Sequence, residues 1–528
     1  MSYRVVIPTA GLGSRLKELT RYINKSLVSV ANRPILSHLI EQFPSNCEFV
    51  IALGYKGNLV RDFLELTYPH KTFFFVNVDP YEGVGSGLGF TLKACKQYLQ
   101  QPFVFISCDT LVKGFIPNPD HDWMGFTQKD NLEEYRTVKI SQGIVSEICE
   151  KGVFRENLSA YIGLAGIFNY ENFWQAMNLG AEVSIEQGEA YGMKSLLTHT
   201  EIRGYDFKWF DTGNVESMTI AREAYTEANQ PNILEKQNEA IWFIDNAVIK
   251  YSDDINFIAN RVNRAEELFG FVPSIEAYRA NMYRYEKIDG DVLSKVVTPL
   301  IFEDFLEKCK GFWIEKKLTT AEQKKFQRSC MDFYKDKTFE RIQLFYKNFN
   351  QADNAQIING EQMPKLQDLL NEIDWNWMSM GLAGRFHGDF HFENIIWSKE
   401  NKKFTFLDWR QDFAGDLSVG DIYYDLAKLM HGLIVNHGIV ASGQFSASWT
   451  GGEIIYNLSR KENLIECEKR LCGWMQHNNY DVKKVKVLTA LIYLNIAALH
   501  HYPYSLLLYG LGTKMLKYET VGLEKNIT

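Results

Sequence analysis

The chain has 528 residues, 46% of them hydrophobic and 23% charged, and a formal net charge of −8. That length exceeds one ordinary core and predicts two or three domains, with globular rather than disordered or fibrous usage. The acidic balance argues against a broad nucleic-acid-binding surface and leaves room for local basic pockets that hold small phosphorylated ligands.

In chain order, the opening "MSYRVVIPTAG" has no basic stretch followed by an apolar one, so a cytoplasmic location is expected. Runs rich in β-branched and aromatic residues, "YRVVIPTA", "EFVIALGY", "KTFFFVNV" and "FVFISCDT", alternate with amphipathic stretches such as "RPILSHLIEQF". This alternation predicts an α/β region with a mainly parallel sheet. After "WFDTGNVESMTIAREAYTEANQPNILEKQ" the chain turns polar, and "AIWFIDNAVIKY" predicts a hairpin with an Asp-Asn turn. The domain boundary is therefore set near residues 228–236, giving regions 1–230 and 236–528. From about residue 316 helical periodicity dominates, except around "FHGDFHFENII" and "FTFLDW". The late apolar segment "VLTALIYLNIAALHHYPYSLLLYGLG" is interrupted by Asn495, His500, His501 and Pro503, which predicts a buried helix pair and no membrane span. The eight cysteines lack CxxC pairs and metal-type spacing and read as buried thiols.

The segment "PTAGLGSRL", residues 8–16, ends a predicted strand in a turn with Gly11 and Gly13, whose missing Cβ atoms let backbone N–H groups approach phosphate oxygens. Arg15 adds a forked cation and Lys25 a mobile one. Taken alone, GxGxR also fits a plain turn before a helix. Asp109 and Asp211, each at the end of an apolar run, supply two carboxylates at the strand edge where such sheets bind ligands, a pair suited to Mg²⁺ and a triphosphate.

Together with "VGSGLGFTL", "CEKG", "GLAGIF" and "WFDTGNVES", these residues make the region 1–225 resemble the sugar-phosphate nucleotidyltransferase family. The resemblance implies a Rossmann-like α/β fold in which Gly11, Gly13 and Arg15 hold the nucleoside triphosphate and Gly85, Ser86 and Gly87 lie near its base. It further implies that Asp109 and Asp211 bind Mg²⁺, that Lys25 and Lys151 neutralise phosphates, and that Gly166 and Glu189 contact a sugar-like acceptor. The Pro-Lys pair usual in that family is Asn24-Lys25 here, which keeps the charge and drops the ring's stiffness. Lys151 is followed by Gly152 where Pro is common, so acceptor recognition is expected to differ.

In "HGDFHFENIIWSKENKKFTFLDW", Asp389 precedes Asn394 by five residues and Asp408 ends an apolar run. That spacing suits a loop presenting one carboxylate to a hydroxyl and one amide to a metal that a second carboxylate bridges to ATP. With "GDIYYDLAK" it resembles the aminoglycoside phosphotransferase and choline kinase family, specifically over 385–430. The resemblance implies an α+β bilobal kinase-like domain with a mostly helical C-lobe. Asp389 becomes the catalytic base, Asn394 and Asp408 Mg²⁺ ligands, and His387 and Asp425 braces. Lys250 becomes the lysine on ATP, paired with Glu266 or Glu267, and residues 283–290 the adenine hinge. His391 reads as a packed or surface histidine. Trp449, Trp474, His500, His501, Tyr502 and Tyr504 read as core, with an aromatic cage for a quaternary ammonium as the alternative.

The expectation is thus a bifunctional enzyme that phosphorylates a small sugar or alcohol with ATP and then transfers a nucleotidyl group from a second NTP (CTP, UTP or GTP), with Mg²⁺ at both sites; the alternatives are choline or ethanolamine phosphorylation followed by cytidylyl transfer, and one domain acting as a non-catalytic binding module. Its partners are small molecules, neither nucleic acid nor membrane, and homo-oligomerisation is left open.

Overall fold

The computed structural model describes residues 3–153, 155–227 and 236–521. Two compact units emerge: Met1–Ile258 with Ile275–Lys287, and Ala259–Ser274 with Ile288–Thr528. Most of the boundary expected at 228–236 lies outside the described residues, and the observed division falls later.

In the first unit, Arg4–Pro8 forms because its apolar side chains alternate between two buried faces: Val5 and Ile7 join one core, Val6 the other. It pairs in parallel with Glu48–Leu53 and Phe103–Ile106, and Phe73–Asn77 adds a fourth parallel strand. The nine-stranded sheet continues through Leu158–Ile167, Trp123–Thr127, Arg203–Asp206, Ile144–Cys149 and Thr137–Ser141. In that half only Trp123–Thr127 and Arg203–Asp206 pair in parallel, and Leu158–Ile167 runs antiparallel to three neighbours. The sheet is therefore mixed, a correction to the mainly parallel expectation. Apolar runs report burial on both faces and not strand direction.

The predicted hairpin forms, Glu239–Ile244 against Ala247–Ser252, with Asp245 at φ +50. Met282–Glu286 and Ile275–Arg279 complete a four-stranded antiparallel sheet. This sheet, expected to open the C-terminal domain, shares the N-terminal core. The Trp242 ring meets Phe63 edge-on at 5.2 Å, Trp242 Nε1 donates to Ser29 Oγ at 3.0 Å, and Arg284 donates to Leu66 O at 3.0 Å. Trp242 is too large to be left open beside an apolar helix face, Gly57–Thr67, that also needs cover.

The second unit is mostly helical. Val482–Ala497 and Tyr504–Thr520 are the predicted buried pair, and they pack with Ile422–Ile434 and Lys337–Phe349. Among the described residues no helix is long and apolar enough to cross a membrane. The helical expectation missed one sheet built from Gln356–Ile358, Glu361–Met363, Phe445–Thr450 and Glu453–Leu458. Its hairpin turns on Gly451 (φ +62) and Gly452 (φ +83), conformations that glycine adopts freely. The loop containing Asp389 is framed by Ala383–Gly384 and by the hairpin Ile395–Ser398 with Lys403–Phe406. No cysteine is disulfide-bonded, and all but Cys472 are buried.

Candidate active sites

The strand Arg4–Pro8 delivers the glycine turn. At Gly11 a Cβ would find nothing within 4 Å, so bare backbone faces open space. Gly13 sits at φ +67, where a Cβ would fall 2.8 Å from Lys25 Cβ. A side chain there would be strained and would displace the lysine. Asn24 supplies the stiffness that the missing proline ring would have given. It is fully buried, its Nδ2 donates to Thr9 O (2.9 Å) and Tyr55 O (2.6 Å), and its Oδ1 accepts from Ser26 N and Oγ.

That loop points Lys25 Nζ at Asp109 Oδ2, 3.2 Å away, while Ser107 Oγ donates to Asp109 Oδ1 at 2.5 Å. Burial alone would raise the Asp109 carboxyl, but Lys25 and Ser107 outweigh it and hold the group down at about 2. Burial alone would lower the Lys25 ammonium, and Asp109 reverses this, leaving it raised. Asp211 Oδ1 accepts from Gly213 N (2.8 Å), and Tyr135 OH donates to its Oδ2 (3.0 Å). Gly213 marks the meeting point: a Cβ there would lie 3.0 Å from Asp211 Oδ1, 3.2 Å from Arg15 Nη2 and 3.4 Å from Asp109 Oδ2. Two carboxylates and a guanidinium therefore converge on one bare backbone position. Hard oxygen donors at a strand edge suit Mg²⁺ with a phosphate ester.

The other residues expected to bind ligand in this unit lie on separate elements. Gly83 and Gly85 lie in an exposed turn at positive φ, closed by Ser86 Oγ donating to Gly83 O. Gly87 begins the helix Leu88–Cys95, where a Cβ would meet Ile185 O at 2.7 Å. Lys151 is exposed in a turn with Gly152 (φ +77). Glu189 is 3% exposed; burial raises its carboxyl, while Arg136 and the neighbouring Tyr161 hydroxyl draw it back.

Gly166 has a packing reason of its own. It pairs with Val104, five residues short of Asp109, and a Cβ there would fall 2.0 Å from Trp123 Nε1, so this glycine makes room for an indole. The glycine at the site edge is Gly163 (φ +70), whose carbonyl accepts from Ser107 N at 2.8 Å. The quoted "GLAGIF" contains both.

In the second unit, Asp425 ties down the chain entering the catalytic loop. Its Oδ2 accepts from His387 N (2.7 Å) and Trp313 Nε1 (3.1 Å), its Oδ1 from Gly388 N (2.7 Å), and burial pushes its carboxyl up to about 6. Burial holds His387 down to about 3. The neutral ring's Nε2–H donates to Leu407 O (2.8 Å) and its Nδ1 accepts from Asp389 N (3.2 Å), both bracing Asp389 as expected. Asn394 Nδ2 donates to Asp389 O (2.9 Å) and Oδ2 (3.2 Å), and Leu407 N donates to Asn394 O (2.7 Å), which links Asn394 to the segment carrying Asp408. Asp408 has φ +58, strained for a residue with a Cβ, and Arg261 Nη1 lies 3.2 Å from its Oδ1. An amide and a carboxylate oxygen again fit Mg²⁺ beside phosphates.

Sequence reasoning missed several groups. Lys428 Nζ is 2.8 Å from Asp389 Oδ1. Buried His391 is 3.5 Å from Asp389 Oδ2 and 3.0 Å from Glu393 Oε2. Burial would lower His391, but these acids raise it to about 9. Burial would likewise raise Asp389, and Lys428 followed by His391 holds it well below the carboxylate range. The packed-residue reading of His391 thus leaves out its contact with the reacting loop. For Lys428 the signal was present in "GDIYYDLAK": it lies three residues past Asp425, on the same helix face.

Lys250 is buried on Ala247–Ser252 of the first unit, while Glu266 and Glu267 are exposed on the part of Ile255–Glu267 that belongs to the second. The buried charged group of that helix is Arg264, set among Ile258, Val262 and Ala265 on its inward face. Arg264 is buried, donates to Leu417 O (3.0 Å), Phe386 O (2.5 Å) and Arg410 O, and lies over the Phe386 ring. Residues 283–290 carry the chain from the first unit to the second. The late aromatics make separate contacts: Trp474 with Trp313 and Tyr480, Trp449 with Phe349, Tyr504 with His500 and Phe445.

Comparison with known proteins follows the same division. Residues 332–452 match the phosphotransferase enzyme family. The bifunctional protein GlmU of Methanococcus vannielii is 22% identical over 257 residues, 46% of this chain and 60% of that protein. The probable glucose-1-phosphate cytidylyltransferase of Bacillus subtilis is 35% identical over 72 residues, 13% of this chain and 28% of that protein. The chain therefore spans less than two thirds of the curated relatives it matches. Among solved structures, the CTP:phosphocholine cytidylyltransferase of Streptococcus pneumoniae aligns at 17% identity over 42% of this chain and 99% of that one, with a TM-score of 0.34. A UDP-glucose pyrophosphorylase structure aligns at 18% identity over 43% and 98%, with a TM-score of 0.37. The chain joins a region homologous to nucleotidyltransferases to a segment that matches the phosphotransferase enzyme family.

Proposed function

We propose that the protein is a bifunctional cytoplasmic enzyme that phosphorylates a small sugar or alcohol with ATP and then transfers a nucleotidyl group from CTP, UTP or GTP to that phosphate. Pyrophosphate leaves, and the product is an NDP-sugar or NDP-alcohol donor. Surface-polysaccharide synthesis is the destination that the family resemblance implies. The observation that carries this reading is the presence of two phosphate-suited clusters. In one unit Asp109, Asp211 and Arg15 converge on Gly213, and in the other Lys428, His391 and Asn394 surround Asp389.

In the second unit, Asp389 takes the proton of the acceptor's hydroxyl and orients that oxygen for in-line attack on the γ-phosphorus, whose bond to the β-phosphate oxygen breaks to release ADP, and Asn394 and Asp408 are the residues that would hold the metal. In the first, the new phosphate monoester attacks the α-phosphorus of the second NTP. Lys25 and Arg15 offset the charge that builds there, Asp109 and Asp211 are the residues that would hold the metal, and the turn at Gly11 admits the phosphates. When bound, Mg²⁺ supplies charge neutralisation at phosphate oxygens in both sites. Buried Glu189, close enough to Asp109 for that carboxylate to act on it, supports a polar acceptor contact beside the first site.

The test is pyrophosphate release from the full chain across NTP and acceptor pairs. Unphosphorylated acceptor should yield NDP product only when ATP accompanies CTP, UTP or GTP. Product from unphosphorylated acceptor without ATP would overturn the order of steps.

A further inference from the structure

The residues around Asp389 also describe its acceptor. Its two carboxylate oxygens face different neighbours: Oδ2 meets Asn394 and His391, on the metal side, and Oδ1 meets Lys428. On the Lys428 side, Tyr424 lies one helical turn back along Ile422–Ile434, and its ring meets Phe333 edge-on at 5.0 Å. Phe333 sits in a short π-helical turn, Asp332–Asp336, between two α-helices, a distortion often found at functional sites.

Two cations lie against that single ring. Lys337 Nζ is 4.3 Å from the Phe333 centroid and Arg410 Cζ is 5.0 Å from it. Arg410 is also fixed to the catalytic loop, since a Cβ on Gly388 would fall 2.7 Å from Arg410 Cδ. Arg341 follows Lys337 by one helical turn on Lys337–Phe349. Among the described residues no salt bridge joins a carboxylate to Lys337, Arg341 or Arg410. The charged neighbours that act on Lys337 are all positive: burial, then Arg410, Arg341 and Lys428, push its ammonium down to about 8. Like charges gathered without a counter-ion repel one another, and an anion brought among them relieves that repulsion.

Resting on the kinase reading of Asp389, we propose that the alcohol phosphorylated there is itself an acid, whose carboxylate or phosphate is held by Lys337, Arg341 and Arg410. The same charges disfavour a quaternary ammonium acceptor. Lys428 is placed to hold Asp389 in position between this anion and the metal side.

The test uses the full chain and three probes of equal carbon count: glycerol, glycerate and glycerol 3-phosphate. Calorimetric titration at low ionic strength should show one of the two acidic probes binding at least about tenfold more tightly than glycerol, by the factor expected of one charge-assisted contact. Which probe wins separates carboxylate from phosphate. Lys337→Gln with Arg341→Gln should lose that preference while melting like the parent, and Lys337→Arg should keep it. Equal binding of glycerol, no binding of either acidic probe, or unchanged binding by a folded double variant overturns the proposal. So does displacement of the acidic probe by ATP with Mg²⁺, which would assign the cations to the nucleotide. Because binding is read without turnover, an acid-binding chain that never consumes ATP would break the kinase assignment and leave the anion site standing.

Discussion

Each unit holds a lysine against an aspartate, and the two pairs differ in which partner leans out. In the first unit Lys25 and Asp109 are 3.2 Å apart and equally recessed, with side chains 19% exposed. In the second Lys428 is 12% exposed and Asp389 38%, at 2.8 Å. An acid that shares its charge with a metal and a triphosphate can sit back beside its lysine. An acid that must meet a substrate hydroxyl has to project, and the lysine beneath keeps it ionised and aimed. On the proposed reading, the same pair of residue types would serve two reactions through exposure rather than composition.

The largest expected effect tests the projecting acid. Asp389→Asn keeps the shape and removes the base, so ATP consumption with acceptor should fall by roughly 10²–10⁴ while nucleotide binding persists. Pre-phosphorylated acceptor should restore NDP product, and undiminished phosphorylation would remove Asp389 from the mechanism. The recessed acid comes next. Asp109→Asn should lower pyrophosphate release by about 10²–10³, the scale of several kcal/mol of metal-held charge stabilisation, and spare ATP consumption. Loss of both activities in a folded variant would sink the idea of separate sites.

A third test separates bracing from chemistry by pH. The Asp425 carboxyl is pushed up to about 6 from 3.8, so the folded state keeps its proton longer than the unfolded chain. Its contribution to stability is then greatest below pH 3.8 and declines as pH rises through about 6. Relative to Asp425→Asn, the parent should lose roughly 2–3 kcal/mol of stability between pH 4 and 7, read from urea unfolding at each pH. A constant difference would contradict the burial argument. The smallest effect concerns the first loop. Asn24→Ala leaves Thr9 O, Tyr55 O and Ser26 N without their partner, and should destabilise the first unit by about 1–3 kcal/mol. An unchanged melting temperature would show that something else stiffens the turn.

Much of the sites was legible because their residues are close in sequence or end apolar runs. The spacing from Asp389 to Asn394, the strand before Asp109 and the turn of Gly11 and Gly13 are local patterns; the structure sets Asp389 against Asn394 and Asp109 against Lys25, and leaves Gly11 bare. What was not legible depends on distant packing. Gly166 resembles a ligand glycine in its motif, and only the indole of Trp123 from another strand shows why it lacks a side chain. Lys428 shows in the sequence only as a lysine one turn past Asp425, and its contact with Asp389 appears when that helix is docked beneath the loop. Strand direction in the large sheet depends likewise on how the chain returns after Phe103–Ile106.

The sharing of a core between Trp242 and Phe63 bears on how this polypeptide can be divided. A fragment ending near residue 230 would strip the apolar side of Gly57–Thr67 of Trp242, Ile249 and Met282, uncovering surface worth about 1.5–3 kcal/mol for each large side chain. Such a fragment invites aggregation through the bared helix. Anyone wishing to study nucleotidyl transfer in isolation should keep the strands through Glu286, even though by sequence they read as the start of something else.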